Sequence, residues 1–212
     1  MTAGFITLEG GEGVGKSTQL RRLANTLERH GRRCVVTREP GGSPGAEEIR
    51  ALLVNGEPGR WDALTETLLL FAARADHVAR TIKPALAQGE FVVCDRFADS
   101  TYAYQGVGRD MPRETIRRIE SIVLGDFKPD LTFVLDLPAE TGLARAHARS
   151  VAESRFERFG LEFHERLRQA FLDIARRAPE RCVVIDAAMR EEDVAAEIWR
   201  VVAERLQLQV SN

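Results

Sequence analysis

Gly10-Gly11-Glu12-Gly13-Val14-Gly15-Lys16-Ser17 fits the pattern Gly-x-x-x-x-Gly-Lys-Ser, and Thr18 follows it. Before it, Phe5-Ile6-Thr7-Leu8 reads as a buried strand; after it, Leu20, Leu23, Ala24 and Leu27 recur at helical spacing. Strand, glycine loop and helix come in the order a phosphate cradle needs. Glycines let successive backbone N–H groups converge on phosphate oxygens, and a helix starting near Lys16 adds the positive end of its dipole. In such a loop Lys16 reaches the β- and γ-phosphates and the Ser17 hydroxyl faces Mg²⁺. An ordinary glycine-rich turn is the alternative, which the flanking strand and helix disfavour.

Outward from the loop, strands are expected at 33–37, 91–94, 131–135 and 182–185. Helices are expected at about 45–54, 61–82, 112–124, 138–149, 161–178 and 191–206. Five strands alternating with helices predict an α/β fold, a parallel sheet covered on both faces with right-handed crossovers. A chain of 212 residues suits one domain, 1–212. On the helix at 61–82, Leu64, Leu68, Phe71, Ala75, Val78 and Ile82 form one stripe, with Leu69 and Leu70 off it. Apolar on two sides, this helix is expected to pack on the sheet and also against a partner subunit or a ligand. Arg74, four residues after Leu70, belongs either to that second side or to a solvated helix end.

The net charge of −2 is spread among interleaved acids and bases, so neither nucleic acid nor a membrane surface is indicated as a partner. Cys34, Cys94 and Cys182 show no metal spacing and lie in or beside apolar runs, which predicts buried, reduced thiols. The longest apolar run, Leu68 to Ala73, is far too short to span a bilayer, and a cytoplasmic protein is expected.

Three strands end in an aspartate, Asp95, Asp136 and Asp186, so that feature alone selects none. Phosphoryl transfer needs an acid for Mg²⁺ or its waters and a guanidinium to grip phosphate. Only Asp95 has an arginine beside it, Arg96, and it precedes the polar and aromatic segment Asp99-Ser100-Thr101-Tyr102-Ala103-Tyr104-Gln105-Gly106. Asp136 and Asp186 are expected as structural caps or loop anchors. Arg38 to Ser43 forms a loop at a strand end, where open α/β sheets bind ligands. Arg145, Arg149 and Arg155 make either a solvated face or a lid, at about 145–160, that stabilises charge on the transferred group. The glycine loop has no basic residue besides Lys16, which favours the lid.

Taken together, Leu8-Glu9-Gly10, Thr37-Arg38-Glu39-Pro40-Gly41-Gly42, Phe71-Ala72-Ala73-Arg74, Asp95-Arg96-Phe97, Ala103-Tyr104-Gln105-Gly106 and Gly125-Asp126-Phe127-Lys128-Pro129-Asp130 resemble the bacterial thymidylate kinases over essentially the whole chain. The resemblance implies a P-loop kinase with a five-stranded parallel sheet and a short lid, usually a homodimer, that moves the γ-phosphoryl group of Mg·ATP to dTMP. It implies that Gly10 to Thr18 and Arg145 bind ATP and that Ser17 and Asp95 serve Mg²⁺. Glu12 faces the sugar 3′-hydroxyl, and Arg38, Arg50, Arg74 and Arg96 surround the dTMP phosphate or nucleoside, with Arg96 bridging donor and acceptor. Thr101 lines the substrate site, Tyr104 crowds the sugar 2′ position, and Gln105 reads thymine. An amide can accept from N3–H and donate to O4, whereas cytosine lacks that N3–H. Where family members often carry a base-stacking aromatic residue, this chain has Leu70, so either Leu70 or Phe71 meets the base. Arg149 and Arg155 match catalytic lid arginines, with Ser154 replacing the usual aspartate before Arg155.

Three other readings stand beside this one. A kinase of another nucleotide or nucleoside shares the scaffold, and acceptor preference separates the two. A guanine-nucleotide switch would need Asn-Lys-x-Asp, which is missing, and a DNA-dependent ATPase fits the mild negative charge poorly.

Overall fold

The computed structural model describes residues 3–55, 59–149 and 159–208, without the side chain of Arg149. Five strands, β1 (Phe5–Glu9), β2 (Cys34–Arg38), β3 (Phe91–Asp95), β4 (Leu131–Asp136) and β5 (Cys182–Asp186), form one parallel sheet in the order β2-β3-β1-β4-β5. β1 is buried along its whole length, and β3 and β4 along all but their last residue; the edge strands β2 and β5 are only partly covered. That is why the central strands read as unbroken apolar runs. The helices around them are α1 (Lys16–Arg29), α2 (Pro44–Val54), α3 (Ala63–His77), α4 (Lys83–Ala87), α5 (Ala98–Thr101), α6 (Arg113–Leu124), α7 (Ala139–Arg149), α8 (Leu161–Arg177) and α9 (Glu191–Arg205). The main core lies between the sheet and α1 and α9, joining Ile6, Leu8, Leu20, Leu27, Phe133 and Ile198. A second core, on Phe5, Val92, Phe97 and Ile82, seals the other face.

One expectation is corrected. The helix at 61–82 begins at Ala63, turns π-helical at Val78–Ile82 and runs on as α4 to Ala87. Of its stripe only Phe71, Val78 and Ile82 are buried: Leu64 and Leu68 are 48% and 50% exposed and Ala75 is exposed, while Glu66, Thr67, Arg74 and His77 are buried. Helical spacing finds a face without telling which way it points; here polar groups with partners elsewhere in the fold face inward. The segment from Asp99, to which the sequence assigned no element, is helical, α5 passing into a π-helical turn at Tyr102–Val107. π-Turns inside helices recur at functional sites.

The cysteines are all unbridged. Cys94 and Cys182 are buried as expected, but Cys34, on the edge strand, is only partly so. Asp136 grips Arg168 through both oxygens at 2.7 and 3.1 Å, and Asp186 accepts from Ala188 N at 2.8 Å, the anchoring roles expected of them. Among the described residues no helix is long and apolar enough to cross a membrane.

Candidate active site

Three neighbouring strands end at one place. The register pairs Leu8 of β1 with Asp95 of β3, and Asp95 with Arg38 of β2. The glycine loop leaving β1 therefore faces the Asp95-Arg96 pair across a single strand spacing. The ladder runs one step further, with Arg96 N donating to Leu8 O at 3.0 Å and Glu39 N to Asp95 O at 2.9 Å. In the loop, Gly13 has φ +69°, and a Cβ there would lie 1.8 Å from Gly142 O in the first turn of α7. Conformation and close approach both require glycine. Gly13→Ala is accordingly expected to melt several degrees lower and to lose thermal stabilisation by ATP. Melting curves with and without ATP that match wild type would contradict the cradle.

Lys16 is buried and turns its Nζ onto the carbonyl oxygens of Gly10 and Gly11, at 3.2 and 2.6 Å. Burial, and then the charge of Arg96, hold its ammonium below the ordinary lysine range. Val14 is buried in the main core, so only its backbone is open to a ligand. Thr18 N closes the first helical turn on Gly15 O at 3.1 Å. Ser17 Oγ donates to Asp95 Oδ2 at 3.1 Å. The second oxygen of Asp95, Oδ1, is buried and has no partner among the described residues. Such an atom is costly unless a cation or ordered water meets it. The pair suits Mg²⁺, which takes one or two protein oxygens and fills its shell with water and phosphate.

Arg96 has φ +70°, a left-handed conformation uncommon for any residue with a Cβ. Its Nη1 donates to Gly10 O at 3.0 Å and Ser100 Oγ at 3.2 Å, and its Nη2 to Glu12 Oε1 at 2.9 Å. Tyr104 donates its hydroxyl to the same Glu12 oxygen at 2.8 Å and lies under the Arg96 guanidinium, 4.9 Å from ring centroid to Cζ. Burial pushes the Glu12 carboxyl up, but Arg96 and Lys16 outweigh it and hold it at about 2.

Below this layer lies Glu9, fully buried, whose oxygens accept from Phe97 N at 2.7 Å and Ser100 Oγ at 2.6 Å. Burial, and then the nearby Asp99 carboxylate, raise Glu9 to about 7. A carboxyl raised in the folded state costs stability when ionised, so the cost grows as pH rises from 4.5 to about 7. A glutamine can serve the same two partners uncharged. Glu9→Gln is thus expected to melt above wild type at pH 8, with the gap closing below about pH 4.5. A gap independent of pH would remove this account.

These groups open on a cavity of about 300 Å³ whose walls include Glu12, Lys16, Ser17, Asp95 and Arg96 on one side and Arg38, Arg50, Leu70, Arg74, Thr101 and Gln105 on the other. Arg38 Nη2 bonds both oxygens of Glu47 at 3.1 Å, and Arg50 Nη1 donates to Pro40 O at 2.6 Å. Burial, and then the charge of Arg38, lower Arg50. Lys16, Arg38, Arg50 and Arg96 thus crowd one space, and a bound anion relieves their repulsion. Arg74 is no solvated arginine: it is 2% exposed, with Nε on Glu39 Oε2 at 2.7 Å, Nη1 on Thr101 Oγ1 at 3.1 Å and Nη2 on Phe97 O at 3.1 Å. Of the two candidates beside a base, Leu70 lines the cavity, while Phe71 is buried with Met111 and Ile116 and does not. One residue along a helix turns the side chain by about 100°, which separates the two.

Arg145 is exposed on α7, with Nη1 3.3 Å from Ala187 O beyond β5. The Arg149 side chain and Arg155, with most of the expected lid, lie outside the described residues. Sequence reasoning missed Ser100, which joins Arg96 to Glu9, and Glu39, which holds Arg74 and, through Oε1, His77 Nδ1 at 3.0 Å.

A glycine loop and a cluster of arginines share this cavity. The family model described as thymidylate kinase matches residues 8–198. A thymidylate kinase of Caulobacter vibrioides is 60% identical over 209 residues, 98% of this chain and 100% of that protein. One of Dinoroseobacter shibae is 55% identical, covering 92% of this chain and 93% of that protein. The crystal structure of the thymidylate kinase from Ehrlichia chaffeensis superposes with a TM-score of 0.76 at 36% identity, over 95% of this chain and 99% of that one. With its glycine loop and its arginine-lined pocket on one continuous fold, the chain belongs to the thymidylate kinase family.

Proposed function

We infer that the chain works as a thymidylate kinase, transferring the γ-phosphoryl group of ATP to dTMP to give dTDP and ADP, as one catalytic unit in the cytoplasm. The observation that carries this is the shared cavity: the Lys16 loop and the Arg38, Arg50, Arg74 pocket open into one space, with Asp95 and Arg96 at the junction. The acceptor is a phosphate monoester with a second pKa of about 6, so near neutral pH it is already nucleophilic and needs no general base. What remains is to align two anions and offset their repulsion. Lys16 serves the donor's terminal phosphates, Arg38 and Arg50 the acceptor phosphate, and Arg96 the group in transit. Among the described residues both hydrogen bonds to Glu12 fall on Oε1, which leaves Oε2 for the sugar 3′-hydroxyl. Ser17 and Asp95 hold Mg²⁺ or its waters; the ion supplies charge neutralisation on the donor phosphates. Arg149 and Arg155 are the lid arginines that stabilise charge on the transferred group, and Arg145 belongs to the donor's site.

The test is ADP release measured with dTMP, dUMP, dCMP and AMP as acceptors. A clear preference for dTMP is expected, and preference for dCMP or AMP would end the thymidylate reading. No observation favours a guanine-nucleotide switch.

The protein acts as a homodimer through α3. Leu64 and Leu68 are one turn apart on its exposed face, and Ile122 on the adjoining α6 is 85% exposed. Aligned exposed leucines on a helix that buries polar groups on its opposite side mark an interaction surface. Leu64→Asp combined with Leu68→Asp is expected to sediment as a monomer where wild type sediments as a dimer. Equal sedimentation of the two would refute the interface.

A further inference from the structure

Resting on the reading that the acceptor carries thymine, we propose that Glu66 is a positioning residue that sets base specificity: its carboxylate takes the amide nitrogen of Gln105 and so leaves the amide oxygen as the end offered to the base. Gln105 Nε2 donates to Glu66 Oε1 at 2.8 Å. An ionised carboxylate only accepts, so the amide cannot be turned the other way without setting two acceptors against each other. The remaining oxygen, Gln105 Oε1, is buried and has no partner among the described residues. Gln105 lines the cavity whereas Glu66 is not among its walls. Arg109 braces the carboxylate, its Nη1 3.2 Å from Glu66 Oε2 and its Nη2 donating to Trp61 O at 2.8 Å.

The matching donor comes from Thr101. Its Oγ1 accepts from Arg74 Nη1 at 3.1 Å, and a guanidinium only donates, so the hydroxyl's own hydrogen is left for another acceptor. Arg74 is in turn held by Glu39 at 2.7 Å. The cavity wall therefore presents a donor and an acceptor whose polarity two buried carboxylates dictate. Thymine answers with O4 and N3–H; cytosine offers an amino group and an unprotonated N3, and mismatches both. Gln105 thus acts as acceptor alone, with the donor role passed to Thr101.

The test compares dTMP with 5-methyl-dCMP, which has the same outline and the opposite polarity, by titration calorimetry of the full chain, alongside kcat and KM for dTMP. In Glu66→Gln the carboxamide accepts or donates, and Gln105 is free to turn. The ratio of the two dissociation constants is expected to fall about tenfold or more, with the loss on dTMP appearing in KM rather than kcat. Glu66→Asp keeps a charge for Arg109 but withdraws the oxygen from Gln105, and is expected to shift the ratio the same way. Adding Glu66→Gln to Gln105→Met is expected to change the ratio no further than Gln105→Met alone, because Glu66 acts through Gln105. An unchanged ratio in both Glu66 variants, or an equal effect of Glu66→Gln with and without Gln105, overturns the proposal. If wild type itself turns over dTMP poorly or binds 5-methyl-dCMP as well, the functional reading fails instead.

Discussion

Replacing Arg96 by lysine lowers kcat by about a thousandfold, the lower end of what a charge-stabilising arginine contributes to phosphoryl transfer, while dTMP affinity changes only a few fold. The reason lies in the shape of the head group. Arg96 reaches Gly10 O, Ser100 Oγ and Glu12 Oε1 at once, tying the glycine loop, the start of α5 and the acceptor side together. A planar guanidinium spans three such partners from a fixed plane; an ammonium is a point charge that satisfies one direction well. The backbone does not confound the comparison, because φ +70° is equally unfavourable for lysine and arginine. Melting temperature is therefore expected to move little, and steady-state kinetics of the purified variant isolate the head group. A kcat within tenfold of wild type, with the fold intact, would show that Arg96 does not bridge donor and acceptor.

The same residues show how far the chain could be read before its structure. The glycine loop was legible because the chemistry dictates residue type at each offset, and Asp95 was legible because an arginine stands beside it. The sheet was legible too, since central strands covered on both faces leave unbroken apolar runs. What could not be read is the buried polar scaffolding. Glu9, Glu39, Glu66 and His77 are each 6% exposed or less, yet charged and imidazole side chains on helices and strand ends ordinarily face water, and only their distant partners make burial tolerable. Glu39 and Arg74 are 35 positions apart in the chain, and Gln105 and Glu66 39 apart, so no local pattern announces either pair. The first half of α3 misled for the complementary reason. Its leucines mark a face, but the face inside the protomer is the polar one, and Leu64 and Leu68 are left outside it.

A second consequence of that scaffolding is that the pocket's polar walls are braced by the protein's own groups. Arg74 spends each of its three nitrogens on Glu39, Thr101 and Phe97, and Tyr104 is tied to Glu12. Groups so held lose little freedom when an acceptor arrives, so binding costs are reduced on that side. The cationic groups nearer the junction are different. Arg38 is exposed and, among the described residues, pairs with Glu47 alone, and Lys16 is folded back on two carbonyls of its own loop.

Asp95→Asn discriminates between the two jobs an aspartate can do beside a transferred phosphoryl group. Asparagine keeps the shape and can still accept from Ser17 Oγ, now 3.1 Å from Asp95 Oδ2, but it brings an NH₂ group and no charge to the place of the unpartnered Oδ1. If the residue holds Mg²⁺ or its waters, kcat falls by about a hundredfold, by the same factor at pH 5.5 and pH 8. Raised Mg²⁺ then recovers part of the loss, because the site is weakened and not removed. If instead it deprotonates the acceptor, the defect is largest below the acceptor's second pKa of about 6 and fades above it, where the phosphate is already a dianion. Rates measured as a grid of pH against Mg²⁺ concentration separate the two. A defect confined to low pH and blind to Mg²⁺ would make Asp95 a base, and turnover near wild type across the whole grid would leave it no part in the chemistry.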